Sequence, residues 1–225
     1  MRERAILRWG VGIAIVFAPL VMAGWFALCP QYGDPACPTN ARPLDVLAAY
    51  RTAPPVLMEA FLAINMVVAY VFPLSYLGMA AVAWPGAPRL AALGGACGWL
   101  GSAVWGFIAD QSFLLTDMAR TQHDAEFAAL ETAYFADWHI FTLAIGWVVG
   151  HLLGYVILGF ALFRARSVPT WSAAMIVTAA VVMGPLAYGT GQNGLQILGY
   201  IMVAAGCVPA ARSLVRRPAS LFELQ

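Results

Sequence analysis

The stretch WHIFTLAIGWVVGHLLGYVILGFALFRAR, residues 138–166, decides the fold of this chain. It carries no Asp, Glu, Lys or Arg before Arg164, and a helix needs about 20 apolar residues to cross the hydrocarbon core of a bilayer. Six segments of this kind predict membrane crossings near residues 7–28, 55–83, 89–112, 135–163, 168–188 and 193–213. We therefore expect an all-α polytopic membrane protein, a six-transmembrane-helix bundle that forms a single domain over residues 1–225.

The composition supports this fold class and excludes several functions. Of the 225 residues, 62% are hydrophobic and 10% are charged, whereas about a quarter of the residues of a soluble domain are charged. The chain contains no lysine, which excludes a mechanism that needs a Schiff-base lysine. Its net charge is +1 and no basic run alternates with aromatic residues, so nothing favours nucleic-acid binding.

The arginines predict how the chain crosses the membrane. Nine of the twelve lie on one side of the predicted crossings and three lie on the other. Because basic residues concentrate on the cytoplasmic side, both termini are predicted to be cytoplasmic. The apolar part of the first segment is too long for a secretory signal, so we expect it to be a retained helix. The nine are Arg2, Arg4, Arg8, Arg89, Arg164, Arg166, Arg212, Arg216 and Arg217, and the three are Arg42, Arg51 and Arg120.

Two cysteines lie in the first predicted outer loop. Cys29 and Cys37 flank a segment rich in Pro, Gly and Asp on the side where an oxidising compartment permits a disulfide. We therefore predict a Cys29–Cys37 disulfide.

Small residues predict which helices pack together. Gly94, Gly98, Ser102 and Gly106 recur at intervals of four in the third crossing, and Gly146, Gly150 and Gly154 do so in the fourth. Small residues at this spacing let the backbones of membrane helices approach closely. We expect these two helices to pack through their glycines, which would bring Asp110 towards the turn at Trp138 and His139.

Polar residues near the outer ends of the helices are the candidates for chemistry, because ionisable groups inside a membrane are costly and suggest a functional site. Headgroup-level side chains satisfied by water and by one another are the simpler explanation. His151 is more simply explained as a satisfied core histidine, and the acidic residues of the second outer segment as a solvated face. The catalytic candidates are Glu59, Asp110, Asp137 and His139, the substrate-binding candidates are Gln111, Tyr188, Gln192, Asn193 and Gln196, and the acidic residues are Asp117, Asp124, Glu126 and Glu131.

These candidates favour a protein that binds a small lipophilic molecule, or acts on it by acid–base chemistry, at a site open to the outer leaflet. Asp110 beside His139 would suit proton transfer or a divalent metal, and a buried Glu59 would suit a general acid. One version is acid-initiated cyclisation or isomerisation of an isoprenoid. The carboxylate at Glu59 is similar to the one that integral-membrane terpene cyclases place in an early helix. The residues leave open whether the molecule is converted or only bound, and they name no cofactor.

Three alternatives remain. A non-catalytic membrane subunit is compatible with the lack of a signature motif, and its protein partners are not indicated. A transporter component would need polar groups across the whole membrane. The last alternative is electron transfer linked to haem or to a quinone. A bis-histidine haem within one chain is disfavoured because His139 and His151 lie on one helix, about 18 Å apart along its axis, which leaves a methionine-ligated or intersubunit haem.

Two segments of the chain resemble a known layout. The segment LDVLAAY at 44–50 and the segment LGFALFRARSVPTW at 158–171 resemble those of uncharacterised bacterial six-helix membrane proteins. This resemblance implies a bacterial inner (plasma) membrane location with the lipid bilayer as partner. It implies no active-site residues.

Overall fold

A computed structural model describes residues 2–30, 42–121 and 123–216, and these residues form a helical bundle. The helices are α1 (Arg2–Leu28), α2 (Pro43–Thr52), α3 (Pro55–Ala83), α4 (Pro88–Ala103), α5 (Trp105–Ala119), α6 (Asp124–Ala136), α7 (Trp138–Arg164), α8 (Thr170–Val181) and α9 (Asn193–Arg216). A π-helical segment, Val182–Tyr188, continues α8.

The predicted six-span architecture is confirmed. Six helical stretches among the described residues are long and apolar enough to cross a membrane: Ile6–Leu28, Pro55–Ala83, Pro88–Ala119, Trp138–Arg164, Thr170–Tyr188 and Asn193–Arg216. The side of the membrane on which the termini lie stays a prediction. We call the end of the bundle formed by α2, α6, the start of α3 and the end of α5 the outer end, because the arginines predict that it faces away from the cytoplasm.

The predicted packing of the third and fourth crossings is confirmed in their inner halves. A β-carbon placed on Gly154 would lie 2.6 Å from Cα of Gly98, and one placed on Gly150 would lie 2.8 Å from Cα of Gly101. Only glycine permits such an approach, since any side chain at these positions would meet the backbone of the facing helix. The backbones of α4 and α7 therefore touch.

The third crossing is not the single helix predicted for 89–112. It divides at Val104 into α4 and α5, and α5 continues to Ala119. Beyond the break α5 packs on α2 and α3. The Trp105 indole fixes this new direction, because its N–H donates to the backbone oxygen of Asn65 at 3.3 Å.

The fifth crossing is also irregular. The predicted helix 168–188 is α-helical to Val181 and then widens into the π-helical segment that contains Pro185. Proline has no N–H and its ring clashes with the preceding turn of an α-helix, so the wider turn accommodates it. The Gln196 side chain fixes this segment by donating from Nε2 to the Met183 oxygen at 2.9 Å.

The predicted Cys29–Cys37 disulfide gains no support. Cys29 is buried just beyond the end of α1. Cys37 lies outside the described residues, so the bond stays a prediction.

Candidate functional site

A cleft of about 740 Å³ lies at the outer end. Four elements form it: the end of α2, the first turns of α3, the end of α5 and the start of α6. Small-molecule sites in proteins usually have volumes of about 300–1,000 Å³, so the cleft has the size of a binding site. Its lining residues are Tyr50, Arg51, Ala53, Pro55, Met58, Glu59, Thr116, Ala119, Arg120, Thr121, Asp124, Ala125 and Glu126.

Arg51 holds three helices together along this cleft. Its Nε donates to the Ala119 oxygen at 2.8 Å, and its Nη2 donates to the Thr121 oxygen at 3.1 Å. These carbonyls lie at the end of α5, where helix oxygens lack intrahelical partners. The guanidinium also binds both carboxylate oxygens of Asp124, with 2.8 Å between Nη1 and Oδ2.

The electrostatics of the helix ends favour this arrangement. The C-terminal end of a helix is partly negative and the N-terminal end partly positive. Arg51 lies at the end of α5, and Asp124 lies in the first turn of α6. The hydrogen bond from Arg51 lowers the pKa of the Asp124 carboxyl below its ordinary value. The two charges therefore stabilise one another and both helix ends.

Glu59 is the sequence candidate that lines the cleft. Pro55 occupies the start of α3, where a missing N–H costs nothing, and Glu59 follows one turn later with its side chain exposed. The preceding residue, Met58, is buried against α5, with 3.6 Å between its sulfur and the Thr116 hydroxyl. Among the described residues, Glu59 forms no ion pair with an arginine or a histidine.

Asp137 and His139 are together, but they are not part of the cleft lining. Asp137 caps α7: its Oδ1 accepts from the backbone N–H of His139 at 2.8 Å, and it lies 2.8 Å from Nδ1 of the same residue. The backbone hydrogen bond is the largest cause that lowers the pKa of Asp137, and the side-chain hydrogen bond follows. Both side chains are exposed. The pair thus has a structural role at the start of α7.

Asp110 lies near Tyr134 of α6. The close packing of α4 and α7 that was expected to bring Asp110 to His139 ends near Gly101. Instead, the Asp110 charge acts on Tyr134 of α6 and raises the pKa of that phenol, after burial as the larger cause. Asp110 itself is exposed, and the neighbouring Gln111 is half-buried.

The remaining substrate-binding candidates lie at the junction of α8 and α9. Asn193 Nδ2 donates to the Phe26 oxygen at 2.9 Å and thereby satisfies a carbonyl at the end of α1. Gln196 is buried against the π-helical segment, which ends at Tyr188. Gln192 is exposed in the turn before α9. None of these residues lines the cleft.

His151 is a satisfied core histidine, as expected. Its Nδ1 lies 2.6 Å from the Trp147 oxygen, which can only accept, so Nδ1 carries the proton. Its Nε2 lies 3.3 Å from the Tyr200 hydroxyl and accepts from it. Both ring nitrogens therefore have hydrogen-bond partners within the protein.

Two residues of the outer end were missed or misread from the sequence. Arg51 was assigned only to the outer side, because nothing in the sequence shows that its partner is Asp124, 73 positions away. Glu131 was expected on a solvated acidic face, but its Oε2 is buried, and among the described residues it has no hydrogen-bond partner. Burial raises the pKa of the Glu131 carboxyl. The face predicted to be uniformly solvated therefore includes one ion-paired and one half-buried carboxylate.

The described residues offer no metal site: no group of three His, Cys, Asp or Glu side chains among them is placed to hold an ion. No protein-family model, curated protein or solved structure matches this chain. The resemblance to bacterial six-helix proteins is therefore supported only by the six membrane-spanning helices.

Proposed function

We propose that this membrane protein binds a small lipophilic molecule in the cleft at its outer end. The observation that carries the proposal is a cleft of about 740 Å³ that opens at the ends of membrane-spanning helices and is lined by Glu59. A molecule dissolved in the outer leaflet would reach this position without crossing the membrane.

The lining favours an amphiphilic molecule. Met58, Pro55, Ala53, Ala119 and Ala125 form apolar walls, and Glu59 provides a carboxylate beside them. The other eight lining residues are polar or charged, so a ligand here would need a polar group as well as an apolar part. The apolar walls would take part of the chain and Glu59 would bind the polar end.

If the bound molecule is also converted, Glu59 is the group that we propose for the proton transfer. It alone of the four predicted catalytic residues lines the cleft. Acid-initiated cyclisation or isomerisation of an isoprenoid would need Glu59 in its protonated form. In its ionised form the same side chain would instead attract a positively charged group. Asp137 and His139 are assigned to capping α7.

Farnesol, a neutral isoprenoid alcohol, is a suitable probe in a mild non-ionic detergent. Native mass spectrometry should show a farnesol adduct of the wild-type chain, and farnesol should raise its Tm. The variant Ala125→Trp places an indole in the cleft and should weaken both effects. Ala129→Trp is the matched control, since Ala129 is exposed one turn further along α6 and lies outside the lining.

The outcomes separate clearly. Binding that Ala125→Trp weakens and Ala129→Trp preserves supports the cleft as the site. If farnesol and the membrane lipids extracted with the protein all fail to bind, the proposed function is wrong. If neither variant changes the binding of farnesol, the molecule binds to another surface and the cleft is not its site.

A second candidate, a non-catalytic membrane subunit, is favoured by the outer half of α7. Residues 138–146 are exposed except for the half-buried Ile140. A β-carbon on Gly106 or Gly146 would meet no atom within 4 Å. Glycines with open space beside them suit a helix from another chain.

Native mass spectrometry also tests this candidate. A wild-type complex with a second membrane chain should be lost in Gly146→Leu and kept in Gly10→Leu, whose site is equally open. A wild-type chain that is monomeric and free of other proteins would remove the subunit candidate.

A further inference from the structure

The charges around the cleft are not evenly neutralised. Arg51 and Asp124 neutralise one another and use their polar atoms on helix ends and on each other. Arg120 lines the cleft, but its Nη1 pairs with Asp117 at 3.3 Å. Both lining arginines therefore already have carboxylate partners.

The lining carboxylates are in excess. Glu126 lies 3.7 Å from Nδ1 of His123 in an exposed pair that carries opposite charges only when the histidine is protonated. Glu59 forms no ion pair among the described residues, and it lines the cleft together with the apolar residues Pro55 and Met58 of the same helix. The polar end of a ligand in this cleft would therefore meet a negative charge beside an apolar wall.

We propose that the cleft selects lipophilic molecules with a positively charged head, such as a primary or quaternary amine, and that Glu59 is the residue that selects them. This inference rests on the proposed function, because it concerns the ligand of the same cleft. An opposite charge close to a carboxylate gains Coulomb energy, and a like charge there is repelled. The apolar chain would be common to every ligand, and the head would set the preference.

Three probes with one chain isolate the contribution of the head: farnesylamine, farnesol and farnesoic acid, which are positive, neutral and negative at pH 7. Titration calorimetry in non-ionic detergent should give affinities in that order. We expect the amine to bind about fivefold more tightly than the alcohol, in line with a partly exposed ion pair. Salt at about 0.5 M should reduce this ratio, because it screens exposed charges.

Two variants assign the preference. Glu59→Gln should bring the amine to the affinity of the alcohol, and it should not disturb folding because this side chain is exposed. Glu126→Gln removes the other lining carboxylate that has no arginine partner among the described residues, and it should keep most of the preference. Unchanged Tm values in the absence of probe verify that both variants are folded.

The results distinguish this inference from the proposed function. If farnesol binds and farnesylamine binds no better, the selection is wrong while the lipophilic site stands. A preference for farnesoic acid would also contradict the proposed selection of cationic heads. It would indicate that Arg120 binds the carboxylate head of the probe. If none of the three probes binds, both the proposed function and the selection are overturned.

Discussion

The two halves of α7 are packed in opposite ways. In the inner half, a β-carbon on Gly154 would lie 2.6 Å from Cα of Gly98, so the backbones of α7 and α4 touch. In the outer half, a β-carbon on Gly146 would meet nothing within 4 Å, although both glycines belong to one stripe. The difference begins where the third crossing divides at Val104 and α5 leaves α7.

The comparison shows how one bundle combines a rigid part with an accessible part. The inner half is held by contacts between backbones and by buried rings such as Tyr76, which packs against Gly98 and Gly154. The outer end is held by partly exposed polar groups such as the Arg51–Asp124 pair. Binding residues commonly lie on irregular segments that a rigid scaffold positions, and the cleft follows this pattern.

The largest expected effect comes from replacing one glycine in each half. Gly154→Ala should lower the free energy of unfolding by about 3 kcal/mol, because the added methyl group meets backbone that cannot move aside. Gly146→Ala has room for the same methyl group and should raise stability by up to about 1 kcal/mol, since alanine favours the helix. Unfolding in mild detergent measures both.

The two variants carry the same chemical change on the same helix, so each is the control for the other. Equal effects would contradict the view that the halves differ in packing. A strong loss in Gly146→Ala would show that another element occupies the outer half of α7.

The next effect concerns the buried hydroxyl groups of the interior. Tyr200→Phe removes the donor to His151 Nε2 and leaves a buried ring nitrogen unsatisfied. We expect a loss of about 1–3 kcal/mol in the free energy of unfolding. Tyr155→Phe is the matched control, because the Tyr155 hydroxyl is buried beside Tyr76 and makes no hydrogen bond of good geometry among the described residues. That variant should be neutral or slightly stabilising.

Thermal unfolding of the two variants side by side measures this difference. If Tyr155→Phe were the more harmful of the two, the hydrogen bond between Tyr200 and His151 would not be the one that stabilises the interior.

The sequence predicted the fold much better than the site. Long apolar segments such as 138–164 can be identified as membrane spans directly from the sequence, because only an apolar helix is stable in hydrocarbon. Glycine spacing also predicted the contact between α4 and α7. It could not predict that the contact stops near Gly101, because the same spacing continues to Gly106 while α5 turns towards α2 and α3.

The site depends on pairings that a single sequence does not show. Glu59, which lines the cleft, was a candidate because a carboxylate near the start of a membrane helix is unusual. Arg51 was not found, because its partners at 119, 121 and 124 are brought to it by the departure of α5 from the bundle. Asp137 and His139 were each predicted as catalytic candidates, with Asp110 as the expected partner of His139. Their separation of two residues also suits a helix cap, which is what the structure shows.

A smaller effect, confined to the outer end, is expected for Arg51→Gln. The variant leaves the end of α5 and the start of α6 without their shared guanidinium, so amide hydrogens near 119–126 should exchange faster. Exchange in the inner half, near Gly98 and Gly154, should be unchanged. Hydrogen exchange read by mass spectrometry distinguishes the two regions.

The pH dependence of this protection gives a second test. Arg51 lowers the pKa of Asp124 from the ordinary 3.8. The pair therefore stabilises the wild-type outer end above that value, and its contribution is lost as the pH falls through the lowered pKa. Arg51→Gln should remove this dependence. Identical pH profiles in both proteins would show that Arg51 does not hold the outer end.

The smallest expected effect concerns Glu131, whose half-buried carboxyl has a pKa raised above 4.5 by burial. A raised pKa means that the folded state binds the proton more tightly than the unfolded state does. The wild type should therefore lose stability as the pH rises from 4.5 through the folded pKa. Glu131→Gln stays neutral, so it should be more stable than the wild type at pH 7 and equal to it below pH 4.5. We expect a difference of less than about 1 kcal/mol, because solvent screens a half-exposed carboxylate.

Unfolding at pH 4 and pH 7, with Glu126→Gln as the control for loss of an exposed charge on α6, measures it. A wild type that is more stable than Glu131→Gln at pH 7 would mean that the ionised carboxylate has a favourable partner, and the outer end would then be held by more than Arg51 and Asp124.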